Sequence, residues 1–270
     1  MKKNFAIIGD PVKHSLSPIL HNYWFEKYNI DANYSIIETN EKELSDIIDK
    51  IKNKSLNGIN VTLPYKQKIV NYIDTIVNDA ELTGSVNTLF LDKDTLVVGE
   101  NTDVFGLQAA YLKEMDNSFS KKALVIGAGG VSPSVILSLQ KSGIKNITIT
   151  NRTTEKCLFL KKKFNYLNIL PWKMLQSKIS NYDIIINATS LGLKKEDNFN
   201  LNFSSPSGNK LFYDVIYNPS ETNFLKIGRK LGNTTLNGKL MFVYQAYLAF
   251  KIWHGFEPDI DENVMKLLEK

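Results

Sequence analysis

Lys66 ends the segment Asn60-Val61-Thr62-Leu63-Pro64-Tyr65-Lys66, in which polar Asn60 and Thr62 alternate with apolar Ile59, Val61 and Leu63. That alternation predicts a short strand. Pro64 is expected to stop the strand and preset the first turn of a helix running on from Tyr65. One ammonium and two short hydrogen-bonding side chains then gather at one strand-to-helix corner. A lysine so placed can supply the proton that a carbonyl oxygen needs when the carbonyl is reduced. Gly84-Ser85-Val86-Asn87-Thr88 puts an amide, Asn87, at the start of another strand, and Gly99-Glu100-Asn101-Thr102-Asp103 puts a carboxylate just before a helix. Asp103 can cap that helix or hold the Lys66 ammonium, and the spacing leaves both open. In Gly9-Asp10-Pro11-Val12-Lys13-His14-Ser15-Leu16-Ser17-Pro18, Ser17 precedes Pro18 as an N-cap precedes N1. The hydroxyls of Ser15 and Ser17 also suit a carboxylate or the hydroxyls of a small polar substrate.

A second cluster suits a dinucleotide. Ala123-Leu124-Val125-Ile126 reads as a buried strand running into Gly127-Ala128-Gly129-Gly130-Val131, a turn that opens a helix. Gly127 permits the tight turn, and Gly129 lets the backbone approach a pyrophosphate. The helix N-terminus adds N–H donors and positive dipole. Ser132 stands where the fingerprint has Gly or Ala, and Pro133 falls in the first helical turn; both are small enough or early enough to fit. An NAD site carries an acidic residue at the end of the next strand. Here that end reads Thr150-Asn151-Arg152-Thr153, with Lys156 one turn on. An arginine in place of a carboxylate calls for a 2′-phosphate, so NADP is the expected cofactor, with Asn151, Arg152, Thr153 and Lys156 around that phosphate.

These clusters need elements to carry them. Strands are expected at Phe5 to Gly9, Asn33 to Glu38 and Ile59 to Leu63, with helices at Pro18 to Tyr28 and Glu41 to Ile51. Val86 to Leu91 and Thr95 to Gly99 flank Asp92-Lys93-Asp94 as a hairpin. A helix from Val104 to about Met115 leads to a boundary at Asn117-Ser118-Phe119-Ser120. From Ala123 the strand–helix alternation restarts, with strands at Asn146 to Thr150 and Asp183 to Asn187. Helices from Lys239 to Trp253 and Pro258 to Leu268 have no strand left to cover, so they pack back on the first domain. The class is α/β with two domains: residues 1–103 plus 239–270 for substrate and catalysis, and a Rossmann-like NADP domain at 104–238.

Composition removes several alternatives. At 270 residues and 43% hydrophobic, the chain can bury a full core. It has no apolar run of membrane-spanning length, and Lys2 and Lys3 lead into a mixed strand, not a signal-peptide core. Cys157 is the single cysteine and reads as an apolar filler, and the three histidines have no metal-ligand spacing, so no metal is expected. A cytoplasmic protein without a membrane partner follows. The net charge of +5 does not imply nucleic acid: of 33 basic residues only Arg152 and Arg229 are arginine, and the lysines are dispersed.

In their joint order these segments resemble the shikimate dehydrogenase family over nearly the whole chain. The motifs are Gly9 to Pro18 with His21-Asn22, Asn60 to Lys66, Val86-Asn87-Thr88, Asn101-Thr102-Asp103, the Gly127 to Gly130 turn and Asn151-Arg152-Thr153. Asn187-Ala188-Thr189-Ser190-Leu191-Gly192, Tyr213-Asp214-Val215-Ile216-Tyr217 and Asn237-Gly238-Lys239-Leu240-Met241 through Gln245-Ala246 complete them. The resemblance implies NADP-dependent interconversion of 3-dehydroshikimate and shikimate by a monomer or homodimer. It makes Lys66 the catalytic acid/base and Asp103 its partner, with Ser15 and Ser17 on the substrate carboxylate. Asn60, Thr62, Asn87, Tyr217 and Gln245 would line the ring. Thr189 would touch the cofactor, and Val215 and Gly238 its nicotinamide end. Two rivals differ in their marks. A quinate/shikimate dehydrogenase using NAD or either cofactor would carry an acidic residue after the second cofactor-domain strand, and a non-catalytic NADP-binding protein would have lost Lys66 or Asp103.

Overall fold

The structure, a computed structural model, describes residues 2–111, 120–194, 197 and 209–268. It forms two compact units, Met1–Gly106 with Val243–Lys270, and Leu107–Phe242.

The first unit contains β1 (Lys3–Gly9), α1 (Ser17–Lys27), β2 (Ala32–Glu38), α2 (Leu44–Lys52), β3 (Gly58–Val61), β4 (Thr75–Ile76), α3 (Asp79–Thr83), β5 (Thr88–Leu91), β6 (Val97–Glu100) and the start of α4 (Asp103–Tyr111). Its sheet runs β2-β1-β3-β5-β6-β4. β1 is parallel to β2 and β3, and β5 is antiparallel to β3 and β6. Side chains alternate across a strand, so β1 serves two cores. Ala6 and Ile8 join the cluster that takes in Leu44, Ile47, Ile48 and Ile51 of α2. That helical spacing makes a single apolar stripe. Phe5 instead meets Phe25, Trp253 and His254 in an aromatic cluster.

The second unit continues with β7 (Lys122–Ile126), α5 (Ser132–Lys141), β8 (Asn146–Thr150), α6 (Thr154–Lys163), β9 (Asn168–Ile169), α7 (Leu175–Lys178), β10 (Ile184–Asn187), β11 (Leu211–Asp214), α8 (Asn223–Lys230) and β12 (Thr234–Leu236). All its strands are parallel, in the order β12-β11-β10-β7-β8-β9. Counting from β7, this is the doubly wound order of dinucleotide-binding sheets, and its strand order reverses between β7 and β10.

α9 (Lys239–His254) and α10 (Glu262–Leu267) end the chain. As expected, they pack on the N-terminal elements. Trp24 Nε1 donates to the Asp259 carbonyl at 3.0 Å, Tyr23 hydroxyl to Asp261 at 2.9 Å, and Lys27 bridges both aspartates. Trp253 lies against β3, where a Cβ on Gly58 would sit 2.4 Å from its Nε1, and that nitrogen donates to the Leu89 carbonyl at 3.1 Å.

Three local expectations need correction. No α-helix runs on from Tyr65. The Tyr65 N–H closes a turn on the Thr62 carbonyl at 3.0 Å, the Leu63–Pro64 peptide is cis, and the next regular piece is a 3₁₀ turn at Lys68–Asn71. The Tyr65 side chain is buried and its hydroxyl donates to the Thr39 carbonyl, which ties this stretch inward as a turn. Ser17 does not cap α1; it is already in the helix, and its N–H donates to Ser15 Oγ at 3.2 Å. The helix expected from Glu41 begins as a 3₁₀ turn closed by an Asn40–Glu43 capping box, and α-geometry starts at Leu44. The expected continuation of α4 to Met115 and the boundary at Asn117 to Phe119 lie outside the described residues.

Candidate active site

β1 and β3 are parallel neighbours, with Ile8 in register with Val61. The serine loop after β1 and the Thr62–Lys66 turn after β3 therefore leave the same edge of the sheet. The two segments touch directly, since Asp10 N–H donates to the Leu63 carbonyl at 3.0 Å. Gly9 is required there: a Cβ would lie 2.5 Å from Thr62 Cγ2 and 2.9 Å from the Leu63 oxygen. Ser15 and Ser17 hydroxyls meet at 3.1 Å, Ser17 is buried, and Thr62 is half-buried.

Lys66 and Asp103 meet. Nζ lies 2.6 Å from Asp103 Oδ2, with side-chain exposures of 13% and 3%. The Lys66 backbone is fixed by Val86 N–H on its carbonyl at 2.7 Å. The other carboxylate oxygen of Asp103 accepts from Asn87 Nδ2 at 2.9 Å, and the same amide faces Thr102 Oγ1 at 3.0 Å and Gln245 Oε1 at 3.4 Å. Asn87 Oδ1 in turn accepts from the Thr102 N–H at 2.8 Å. Asp103 is thus no helix cap; Asn101 Oδ1 takes the Val104 N–H, and the Asp103 carboxylate goes to the lysine and the amide. Asn60 is joined to this group through its Nδ2, which donates to the Asn87 carbonyl and Thr88 Oγ1, both at 3.1 Å.

Tyr34, which carried no signal in the sequence, and His21 of the opening motif complete the arrangement. Tyr34 hydroxyl donates to Asn60 Oδ1 at 2.7 Å. Its ring stacks on His21 with centroids 4.4 Å apart. Burial, with His254 nearby, pushes the His21 pKa down to about 3, so it serves as a neutral aromatic plate. A concavity of about 320 Å³ lined by Lys3, Lys54, Lys93 and Trp253 opens where β1 and β3 begin, the other end of these strands from Lys66, and is not part of this group.

In the second unit Gly127 has φ +113°, and a Cβ would lie 2.8 Å from the Ala188 oxygen. Beside Gly129 the same construction meets nothing within 4 Å, which leaves space for close approach to its backbone. Ser132 does more than fit. Its buried hydroxyl donates to the Gly127 carbonyl and accepts from the Gly129 N–H, both at 3.0 Å, and so latches the turn. Ala128, Gly130 and Val131 complete that turn. Asn151 Nδ2 donates to the Thr153 carbonyl at 3.0 Å, ordering the loop that exposes Arg152 ahead of α6, with Lys156 exposed on its first turn. Tyr217 also belongs to this unit; its ring packs on Phe242 at 4.7 Å. The Gly238 N–H donates to the Ile216 carbonyl at 3.0 Å, and a Cβ there would lie 2.2 Å from the Val215 oxygen. Cys157 is buried, and burial raises its thiol pKa.

Comparison with known proteins agrees along the length of the chain. Residues 7–89 match the shikimate dehydrogenase substrate binding domain, 110–214 the shikimate / quinate 5-dehydrogenase family, and 240–266 the shikimate 5′-dehydrogenase C-terminal domain. The NADP(+) shikimate dehydrogenase of Pelagibacter ubique (strain HTCC1062) is 46% identical over 269 residues, covering 100% of both chains. The crystal structure of shikimate dehydrogenase from Aquifex aeolicus superposes with a TM-score of 0.92 at 33% identity, covering 100% of this chain and 98% of that one. The Thermus thermophilus shikimate 5-dehydrogenase in complex with NADP(H) and shikimate gives a TM-score of 0.86 at 28% identity, covering 99% and 97%. The chain belongs to the shikimate dehydrogenase family.

Proposed function

We propose that the protein catalyses the reversible NADPH-dependent reduction of 3-dehydroshikimate to shikimate, with Lys66 as the proton donor in that direction. The observation that carries this reading is the 2.6 Å Lys66–Asp103 pair, nearly buried and braced by Asn87. When bound, NADPH supplies the hydride that reaches the substrate carbonyl carbon. The Lys66 ammonium delivers a proton to the carbonyl oxygen, and in the reverse direction the neutral amine recovers it. Asp103 fixes Nζ in place, and Asn87 keeps the carboxylate from rotating away. Asn60, Thr62, Asn87 and Gln245 supply hydrogen-bonding groups for the ring hydroxyls, Tyr217 adds its phenol, and Ser15 and Ser17 supply two hydroxyls for the substrate carboxylate. In this reading residues 1–103 with 239–270 handle the substrate and 104–238 the cofactor.

The residues present fit NADP. The φ +113° turn at Gly127 and the open approach to Gly129 suit a pyrophosphate. Arg152, with Asn151, Thr153 and Lys156, offers donors and charge to a 2′-phosphate where an NAD site would carry an acid. Thr189 serves the cofactor, and Val215 and Gly238 its nicotinamide end.

Initial rates of 3-dehydroshikimate reduction with NADPH and NADH, alongside oxidation of shikimate and quinate, test the proposal. Turnover of shikimate with strong preference for NADPH is expected. No shikimate turnover would remove the substrate assignment, and equal rates with NADH would remove the cofactor assignment.

A further inference from the structure

The structure assigns Asp214 as the positioning residue for the nicotinamide end of the cofactor site, through hydrogen bonds that tie three separate loops together. This rests on the cofactor reading above and gives it a mechanism.

β10 and β11 are parallel neighbours that end in register, Asn187 opposite Asp214. Both side chains are fully buried, and each folds its own outgoing loop. Asn187 Oδ1 accepts from the Thr189 N–H at 3.0 Å and the Thr189 hydroxyl at 2.7 Å, and Thr189 Oγ1 then accepts from the Leu191 N–H at 3.0 Å. Asp214 Oδ1 likewise accepts from the Ile216 N–H at 3.0 Å. Two Asx turns therefore lie side by side. Asn187 Nδ2 joins them by donating to Asp214 Oδ1 at 3.0 Å and to the Leu191 carbonyl at 3.1 Å. Thr222 Oγ1 donates to Asp214 Oδ2 at 2.6 Å and anchors the far end of the second loop, where Thr222 also caps α8. The third segment closes on the second, because the Gly238 N–H donates to the Ile216 carbonyl whose own N–H is held by Asp214.

Thr189, Val215 and Gly238 come from three loops, and this network sets the geometry of each. No cation contacts the carboxylate among the interactions of the described residues; three neutral donors satisfy it. What the site uses is a compact acceptor with two well-placed oxygens. Burial raises the Asp214 pKa to about 6 despite those bonds, consistent with a group kept for its shape and acceptors and not for easily held charge.

Three variants of the full-length protein test this: Asp214→Ala, Asp214→Asn and Thr222→Val. Each is titrated with NADPH, followed by nicotinamide fluorescence, and with adenosine 2′,5′-bisphosphate, which carries only the adenosine end. Asp214→Ala is expected to weaken NADPH at least tenfold and adenosine 2′,5′-bisphosphate less than twofold. Asp214→Asn keeps an acceptor and should bind NADPH within threefold of the wild type, because Thr222 can rotate to accept from its amide. Thr222→Val should fall between them, and decides the matter if Asp214→Ala does not fold. Unchanged NADPH binding in Asp214→Ala or, failing that protein, in Thr222→Val overturns the inference. So does equal loss of both ligands, which would mean general destabilisation, or an Asp214→Asn protein as impaired as Asp214→Ala, which would mean a role for charge. Wild-type protein that binds no NADPH overturns the cofactor reading itself, and the inference with it.

Discussion

The two units hold their functional groups by opposite means. In the first, the groups proposed to act are side chains (Lys66, Asp103, Asn87, Gln245) drawn from separate segments and bonded directly to one another. In the second, the groups proposed to face the cofactor are largely backbone, shaped at Gly127, Gly129 and Gly238 and kept in place by buried side chains behind them (Ser132, Asn187, Asp214). Proton transfer needs a titratable group aimed at one atom. An anion cradle needs N–H groups and clearance for close approach. The contrast predicts that damage in one unit leaves binding in the other intact.

The strongest test is Lys66→Ala. Its kcat should fall by roughly 10²- to 10⁴-fold, the usual contribution of a positioned acid/base, while the KM for shikimate changes little and NADPH still binds. Steady-state kinetics with a separate NADPH titration would show this. Unchanged kcat with a raised KM would instead make Lys66 a binding residue.

Acid should separate the units next. In the first, His21 and His254 are held neutral mainly by burial, with pKa values lowered to about 3 and about 4. The unfolded chain takes up those protons below the ordinary 6.5, so stability falls as pH drops from 6.5 toward 4. Asp261, held down to about 2 chiefly by Lys27, adds its loss below 3.8. Asp214 has the reverse sign: its folded pKa of about 6 lies above the unfolded value, so the second unit gains stability as pH falls through 6 toward 3.8. That gain is on the order of 3 kcal/mol for this one group. Hydrogen exchange at pH 7 and pH 5, corrected for intrinsic rates, should show protection lost in β1 and α1 and kept or increased in β10 and β11. Equal loss in both would break the contrast.

Arg152→Ala should weaken NADPH by on the order of 10- to 100-fold, the worth of a charged hydrogen bond, and NADH hardly at all. Similar losses for both would reject the 2′-phosphate clamp. The smallest expected effect is Tyr34→Phe, which removes one buried bond to Asn60, about 1 kcal/mol. The KM for shikimate should rise a few-fold with NADPH affinity unchanged; a fall confined to kcat would show that Asn60 serves the chemistry and not the ring.

Much of this was visible in the sequence, for physical reasons. Alternation and helical periodicity report burial directly, so β1, α2 and the Rossmann-like strands could be read, and the Gly127 to Gly130 turn declared its own backbone needs. The Lys66–Asp103 contact was not derivable from spacing, because it depends on where β3 and α4 meet in space. The stretch after Pro64 misled because proline is as compatible with a turn as with a helix start, and the deciding contact, Tyr65 to the Thr39 carbonyl, is tertiary. Ser132 looked like a tolerated departure; its role as a latch depends on two bonds to backbone that composition does not encode.

The Gly58–Trp253 contact has a consequence for how the protein is made. β3 is synthesised well before Trp253, yet the strand has no side chain at Gly58 because the indole fills that place. Residues 107–242 form a compact unit that is continuous in sequence, whereas the first unit lacks its closing aromatic layer until residues 243–270 emerge. The earlier-made sheet is therefore the later to be completed. A chaperone that shields an apolar surface during translation should find its target on the N-terminal sheet, in the interval before α9 is released.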